Sequence, residues 1–276
     1  MALIPKEFID AVLSIGVKNE KGINWIGTGF LIVKELRENT YQPMLISNKH
    51  VLLGKDSVVI RLRKKTTGEL AVIDMPLQKD GKILFSIHPD PQVDIAAVLL
   101  NGSYLENNKL EVFAFNMDTI ALTSDEFLNN GGGEGSNVYM LGFPMGLVDI
   151  DSNMPICRGG CVARADRQEI KRTKNMLLDI QNFPGNSGSP IITKPEVISL
   201  GDTVPLNKAA LIGIIHSYIP YNESLINSQT GEVVEIRSEN SGIAKANPVE
   251  FINEVIEMEL KRNYSEEELK EFKINR

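Results

Sequence analysis

The sequence predicts an all-β fold in two halves, completed by a helical C-terminus. Three observations carry that prediction. Apolar runs are short and rich in Val and Ile, a glycine-dense stretch interrupts them near the middle, and helical spacing takes over after residue 246. Strands are expected near 10–18, 25–34, 42–48, 57–64, 69–76, 82–88 and 94–100. A second series is expected near 137–143, 157–164, 175–181, 189–193, 208–217 and 230–245. Between the two lies 102–136, with mixed polar residues and most of the run NNGGGEGSN, whose conformational freedom marks a connection.

At the C-terminus, Asn247 is placed to cap a helix, Pro248 suits the first helical position, and Glu250 can close a capping box. Phe251, Ile252, Val255 and Ile256 then form an apolar stripe expected to dock on the second half. Ser265 with Glu268 suggests another capping box before a short charged helix, with a solvated tail as the alternative.

Composition narrows the function. The 276 residues are 42% hydrophobic, enough for a sizeable core. Acidic residues number 36 against 29 basic, a formal net charge of −7, which argues against nucleic acid as a partner. The short run Arg61, Arg63, Lys64 and Lys65 reads as a solvated strand end. Lys6, Glu7 and Asp10 interrupt the first apolar stretch, so no export signal is expected and the location implied is cytoplasmic. No window approaches the length of a membrane span. Cys157 and Cys161 have the wrong spacing for a redox or zinc pair and are expected as reduced, packed thiols.

The chain has three histidines, His50, His88 and His216. His50 follows MLISNK and opens HVLLG, where a strand ends and a turn begins, so its ring can face a cleft. Asp94, in PQVDIAAVLL, precedes an apolar run; a carboxylate there needs a partner, and a histidine N–H is suitable. Taken alone, Asp94 serves equally to cap a turn. Ser187 lies in Gly185-Asn186-Ser187-Gly188-Ser189-Pro190, whose glycines permit a tight turn. There the N–H groups of Gly185 and Ser187 can converge as an oxyanion hole; a glycine-rich loop without catalytic consequence is the alternative.

In the order His50, Asp94, Ser187, the segments SNKHV, VDIAAVLL and GNSGSP resemble the three catalytic blocks of chymotrypsin-like serine peptidases. The wording is closest to bacterial trypsin-like and glutamyl-endopeptidase-like members. The chain order separates this pattern from subtilisins and α/β-hydrolases. The resemblance runs from about Gly27 to about Pro248. It implies two six-stranded antiparallel β-barrels: residues 1–115 carrying His50 and Asp94, a connection at 116–135, residues 136–246 carrying Ser187, and a helical segment at 247–276. It further implies a serine endopeptidase acting on protein or peptide substrates, with no metal and no organic cofactor.

The resemblance also places specificity. Asn186 stands where secreted trypsins have an aspartate that pairs with a new N-terminal amine, so activity is expected without N-terminal processing. Gln181 holds the position at the base of the primary pocket, which argues against a preference for Lys or Arg. Gln181, His216 and Ser217 are the pocket candidates; His216 is placed either against the buried face of Asp94 or in the pocket wall. The stretch 219–240 is a long insertion expected to form its own hairpin through SQTGE, as a plain surface element or as a lid or partner contact at the cleft. A protease activated by a regulatory protein partner, an esterase, and a non-catalytic binding module on the same fold are the competing functions.

Overall fold

The computed structural model describes residues 4–149, 151–196, 200–201 and 203–272. The chain is mostly β, with 44% strand and 21% helix. Helix α1 (Lys6–Asp10) leads into β1 (Val12–Asn19), β2 (Gly22–Arg37) and β3 (Thr40–Ser47). The helical turn α2 (Lys49–Leu52) precedes β4 (Ser57–Arg63), β5 (Leu70–Pro76), β6 (Gln78–Lys79), β7 (Lys82–Ile83), β8 (Ser86–Ile87) and β9 (Ala96–Leu99). These strands form an open sheet in the order β5-β4-β1-β2-β3-β9-β8, apart from the separate β6–β7 pair.

The connection then holds α3 (Gly102–Asn107), β10 (Phe115–Asn116), which pairs in parallel with β2, α4 (Met117–Ile120) and α5 (Ser124–Asn129). It is therefore more ordered than the glycine run suggested. Its last helix starts at a capping box between Thr123 and Glu126 that the segment TSDE encodes.

The C-terminal half consists of β11 (Asn137–Gly142), β12 (Ile156–Arg164), α6 (Arg167–Thr173), β13 (Met176–Asp179), β14 (Pro190–Thr193), β15 (Leu211–Ile226) and β16 (Val233–Pro248). Its six strands close into an antiparallel barrel, β11-β12-β13-β16-β15-β14. The expected second closed barrel is not found among the described residues. The strand expected over 82–88 breaks in two, because Asp80 and Gly81, both at positive φ, turn β7 back onto β6. What is left, β8, has two residues and runs into His88-Pro89-Asp90-Pro91, where the prolines lack the N–H a ladder needs. Between the edges lies an apolar cleft lined by Leu62, Ile73, Met75, Leu84, Val98 and Leu105.

Helix α7 (Val249–Asn263) is followed by α8 (Glu266–Glu271), whose Ser265–Glu268 capping box forms as expected. The cap of α7 differs from expectation. Pro248 is the N-cap, and Asn247 stays in β16 with its side chain committed elsewhere. Glu250 likewise accepts from Ser124 instead of reaching back. Nor does α7 dock on the barrel alone, since it packs on β8, β9 and β15. Its buried Glu259 accepts bonds from Ser86 Oγ at 2.8 Å and the Leu99 N–H at 3.0 Å. One core, including Phe30, Ile46, Phe143, Ile214 and Ile252, spans sheet, barrel and helix. That shared core fixes the two halves against each other.

Two further expectations change. Arg61 is buried, its guanidinium 5.0 Å from the Trp25 ring centre and donating to the Asp149 and Ser152 carbonyls. It is thus a clamp on Asp149 and Ser152, not a solvated strand end. Cys157 and Cys161 are both free on β12, but Cys157 is exposed instead of packed.

Candidate active site

His50 occupies α2, one turn after β3 ends, and its side chain is half-exposed. Asp94 sits in the bend before β9, where its carboxylate accepts from the His50 backbone N–H at 3.1 Å and bonds the His50 ring at Nδ1. Burial by itself raises the Asp94 carboxyl, but the His50 hydrogen bonds and charge outweigh it and hold the group below the usual carboxylate range. The carboxylate therefore stays ionised beside the ring and fixes Nδ1 as its donor, leaving Nε2 as the basic nitrogen.

The backbone around Asp94 is held by three side chains. Asn48 Nδ2 donates to the Asp94 carbonyl at 2.6 Å, Lys49 Nζ to the Val93 carbonyl at 3.2 Å, and the Asp94 N–H to Asn247 Oδ1 at 2.9 Å. Asn247 is fully buried, and its Nδ2 donates to the Lys174 carbonyl at 2.8 Å. It therefore ties the Asp94 bend to the barrel. Sequence reasoning missed both asparagines, since their type signals caps and turns as readily as a buried network.

Two successive turns meet at Asn186, closed by Asn186 N–H to the Phe183 carbonyl at 3.0 Å and Ser189 N–H to the Asn186 carbonyl at 2.9 Å, and Ser187 lies in the second. Gly185 and Gly188 have φ of +95° and +91°. A side chain at Gly188 would put its Cβ 1.9 Å from the Thr28 carbonyl oxygen, and one at Gly185 2.3 Å from that of Phe143. The turn thus needs glycine twice, for conformation and for space.

Thr28 of β2 joins this turn to the other half. Its N–H donates to the Ser187 carbonyl at 2.8 Å and its Oγ1 to the Gly185 carbonyl at 2.7 Å, while its own carbonyl accepts from Ser47 Oγ at 2.7 Å. Ser47 ends β3, three residues before His50. Gly27 lies in the same seam: a Cβ there would stand 2.8 Å from Val51 and 3.4 Å from the Ser187 carbonyl oxygen. The nucleophile candidate and the base candidate are brought together through β2, within GTGFLIV.

Ser187 Oγ has no hydrogen-bond partner among the described residues, so it is not bonded to His50 in this structure. The N–H groups of Gly185 and Ser187 likewise donate to no acceptor among the described residues. Buried Asn186 makes no side-chain hydrogen bond among them either.

Of the pocket candidates, Gln181 is exposed at the end of the β13 segment, and its carbonyl accepts from Arg158. His216 has both ring nitrogens engaged: Nε2 donates to Asn175 Oδ1 at 2.6 Å and Nδ1 accepts from Ser217 Oγ at 3.0 Å. Asn175 Oδ1 also accepts from Asn247 Nδ2 at 3.4 Å, which connects His216 to the Asp94 support. Burial lowers the His216 pKa to about 4, against the pull of Asp94, so the ring is neutral near pH 7. His88 is buried, with Nδ1 accepting the Asp90 N–H and Nε2 on Glu254, far from this arrangement in role.

Among the described residues, no group of three or more His, Cys, Asp and Glu is placed to hold a metal ion. No helix among them is long and apolar enough to cross a membrane. Neither protein-family models nor curated proteins return a match to the chain.

Proposed function

We propose that the chain is a serine endopeptidase of the chymotrypsin-like class, with the open sheet and the closed barrel as its two β-halves. The observation that carries this reading is a hydrogen-bonded His50–Asp94 pair across a seam from a serine held in a double glycine turn. Ser187 attacks the peptide carbonyl, and His50 Nε2 takes its proton and returns it to the leaving amine. Asp94 orients the ring and stabilises the imidazolium. The uncommitted N–H groups of Gly185 and Ser187 are suited to the oxyanion of the tetrahedral intermediate. No step calls on a metal or cofactor.

The unmade Ser187–His50 bond favours a second reading, a latent enzyme whose triad closes only with substrate or a regulatory protein. Labelling with a fluorophosphonate probe, compared with Ser187→Ala, tests both. Labelling of the purified protein that the variant abolishes is expected. Labelling only in the presence of lysate indicates latency, and none under any condition leaves a binding module.

A further inference from the structure

Beyond the barrel, β15 and β16 continue as a free ribbon. Pairing of β15 with β14 ends at Ile214, and pairing of β16 with β13 begins only at Ile243. From Pro220↔Asn240 to Ile226↔Val233 the strands pair only with each other, over roughly 20 Å at about 3.3 Å per residue. The turn closes where the Asn227 N–H donates to the Glu232 carbonyl at 2.8 Å. The ribbon rises from the candidate cleft, since Ser217 is on β15 and Asn240 Nδ2 donates to the Asn182 carbonyl beside Gln181.

Residues opposite one another share a face, so the register sorts the ribbon into two unlike surfaces. One face carries Tyr221, Glu223 and Leu225 opposite Glu239, Arg237 and Glu235. The other carries Ile226 opposite Val233 and Ser224 opposite Ile236, and these three aliphatic residues are more than half exposed. Over 219–240 there are four glutamates, Glu223, Glu232, Glu235 and Glu239, against Arg237 alone. Only Glu235 is in an ion pair, with Arg237, among the described residues. A lone two-stranded ribbon is marginal in water, and its outer edges present unpaired backbone groups.

We propose that this ribbon is an exosite for an extended segment of a protein substrate in which basic and aliphatic residues alternate. The substrate role rests on the peptidase reading above. An added strand directs alternate side chains to opposite faces, so its Lys or Arg residues meet the acidic face while its aliphatic residues cover Ile226, Val233 and Ile236. Backbone pairing along a free edge supplies affinity, and the difference between the faces sets orientation.

The test uses the full chain and two fluorescein-labelled probes, a Lys-Val repeat and a Glu-Val repeat of eight residues, read by anisotropy. Binding of the Lys-Val peptide at least tenfold tighter is expected. E223K/E239K and V233S/I236S are each expected to weaken it at least tenfold, whereas E266K/E267K on α8 leaves it unchanged. Equal binding of the two peptides, or an equal loss in E266K/E267K, overturns the proposal. A dimer in sedimentation velocity that V233S/I236S dissociates assigns the ribbon to a second copy and overturns it too. For the substrate role, appending the Lys-Val segment to β-casein is expected to lower KM at least fivefold with kcat unchanged, an effect absent in E223K/E239K. An unchanged KM overturns that role. Absence of both cleavage and fluorophosphonate labelling sinks the peptidase reading instead, and the anisotropy result then stands alone as docking.

Discussion

The two sides of the candidate site are held by different physics. On the Ser187 side the backbone does the positioning, through two left-handed glycines and turns closed at 3.0 and 2.9 Å. On the His50–Asp94 side, buried side chains do it, with Asn48 and Asn247 holding the Asp94 backbone from different elements. A backbone turn tolerates almost no substitution where it is tight, whereas a side-chain network fails by leaving its other members unpaired. The contrast extends outward: the serine belongs to a closed barrel, and the base to an open sheet that α7 and Asn247 tie to that barrel.

The largest effect that sharpens this contrast is expected at Gly188. Gly188→Ala combines a positive φ with a Cβ 1.9 Å from the Thr28 carbonyl, and a loss above about 4 kcal/mol is expected by denaturant unfolding. Gly54→Ala, also at positive φ but with nothing within 4 Å, serves as the control and should cost about 1 kcal/mol. Similar costs at the two positions would mean that strain, not close approach, holds the serine turn.

On the other side, Asn247→Ala leaves the Asp94 N–H and the Lys174 carbonyl without their partner, so about 2–3 kcal/mol should be lost. Its effect on the site is separable from stability: probe labelling at Ser187 should slow well below the temperature of unfolding, because the His50–Asp94 pair is no longer held. Unaltered labelling with reduced stability would reduce Asn247 to a structural role.

A smaller effect is expected from His216. Its folded pKa of about 4 lies below the ordinary 6.5, so between those values the unfolded chain binds the proton that the folded chain excludes. Stability therefore rises with pH across this window, by about 1.4 kcal/mol per pH unit, and is lost as pH falls from about 6.5 towards about 4. His216→Gln should flatten that slope in unfolding curves taken across the window. A slope unchanged by the substitution would place the titration elsewhere.

Legibility followed the same divide. The serine turn could be read because glycine requirements and a proline boundary are local, and Gly185-Asn186-Ser187-Gly188-Ser189-Pro190 states them in six letters. The strands were readable wherever Val and Ile clustered, although 82–88 split because the Asp80-Gly81 turn overrode its apolar character. Asn247 was misread for a physical reason. A residue before Pro248 at a helix start satisfies the local logic of capping, and only the approach of the Asp94 bend gives its side chain a better use. Thr28 and Asn48 could not be assigned, because the partners they bond lie far away in the chain.

By itself, then, the sequence determined the strand-rich character, the His50, Asp94 and Ser187 candidates and their order, and the glycine turn. Each depends on composition or on neighbours within a few residues. Tertiary structure alone decided that the first sheet stays open, that Asn247 supports Asp94, that His216 is sealed by Asn175 and Ser217, and that the ribbon has an acidic and an aliphatic face. Those outcomes depend on pairing partners and burial contributed by residues far away in the chain, which local pattern does not encode.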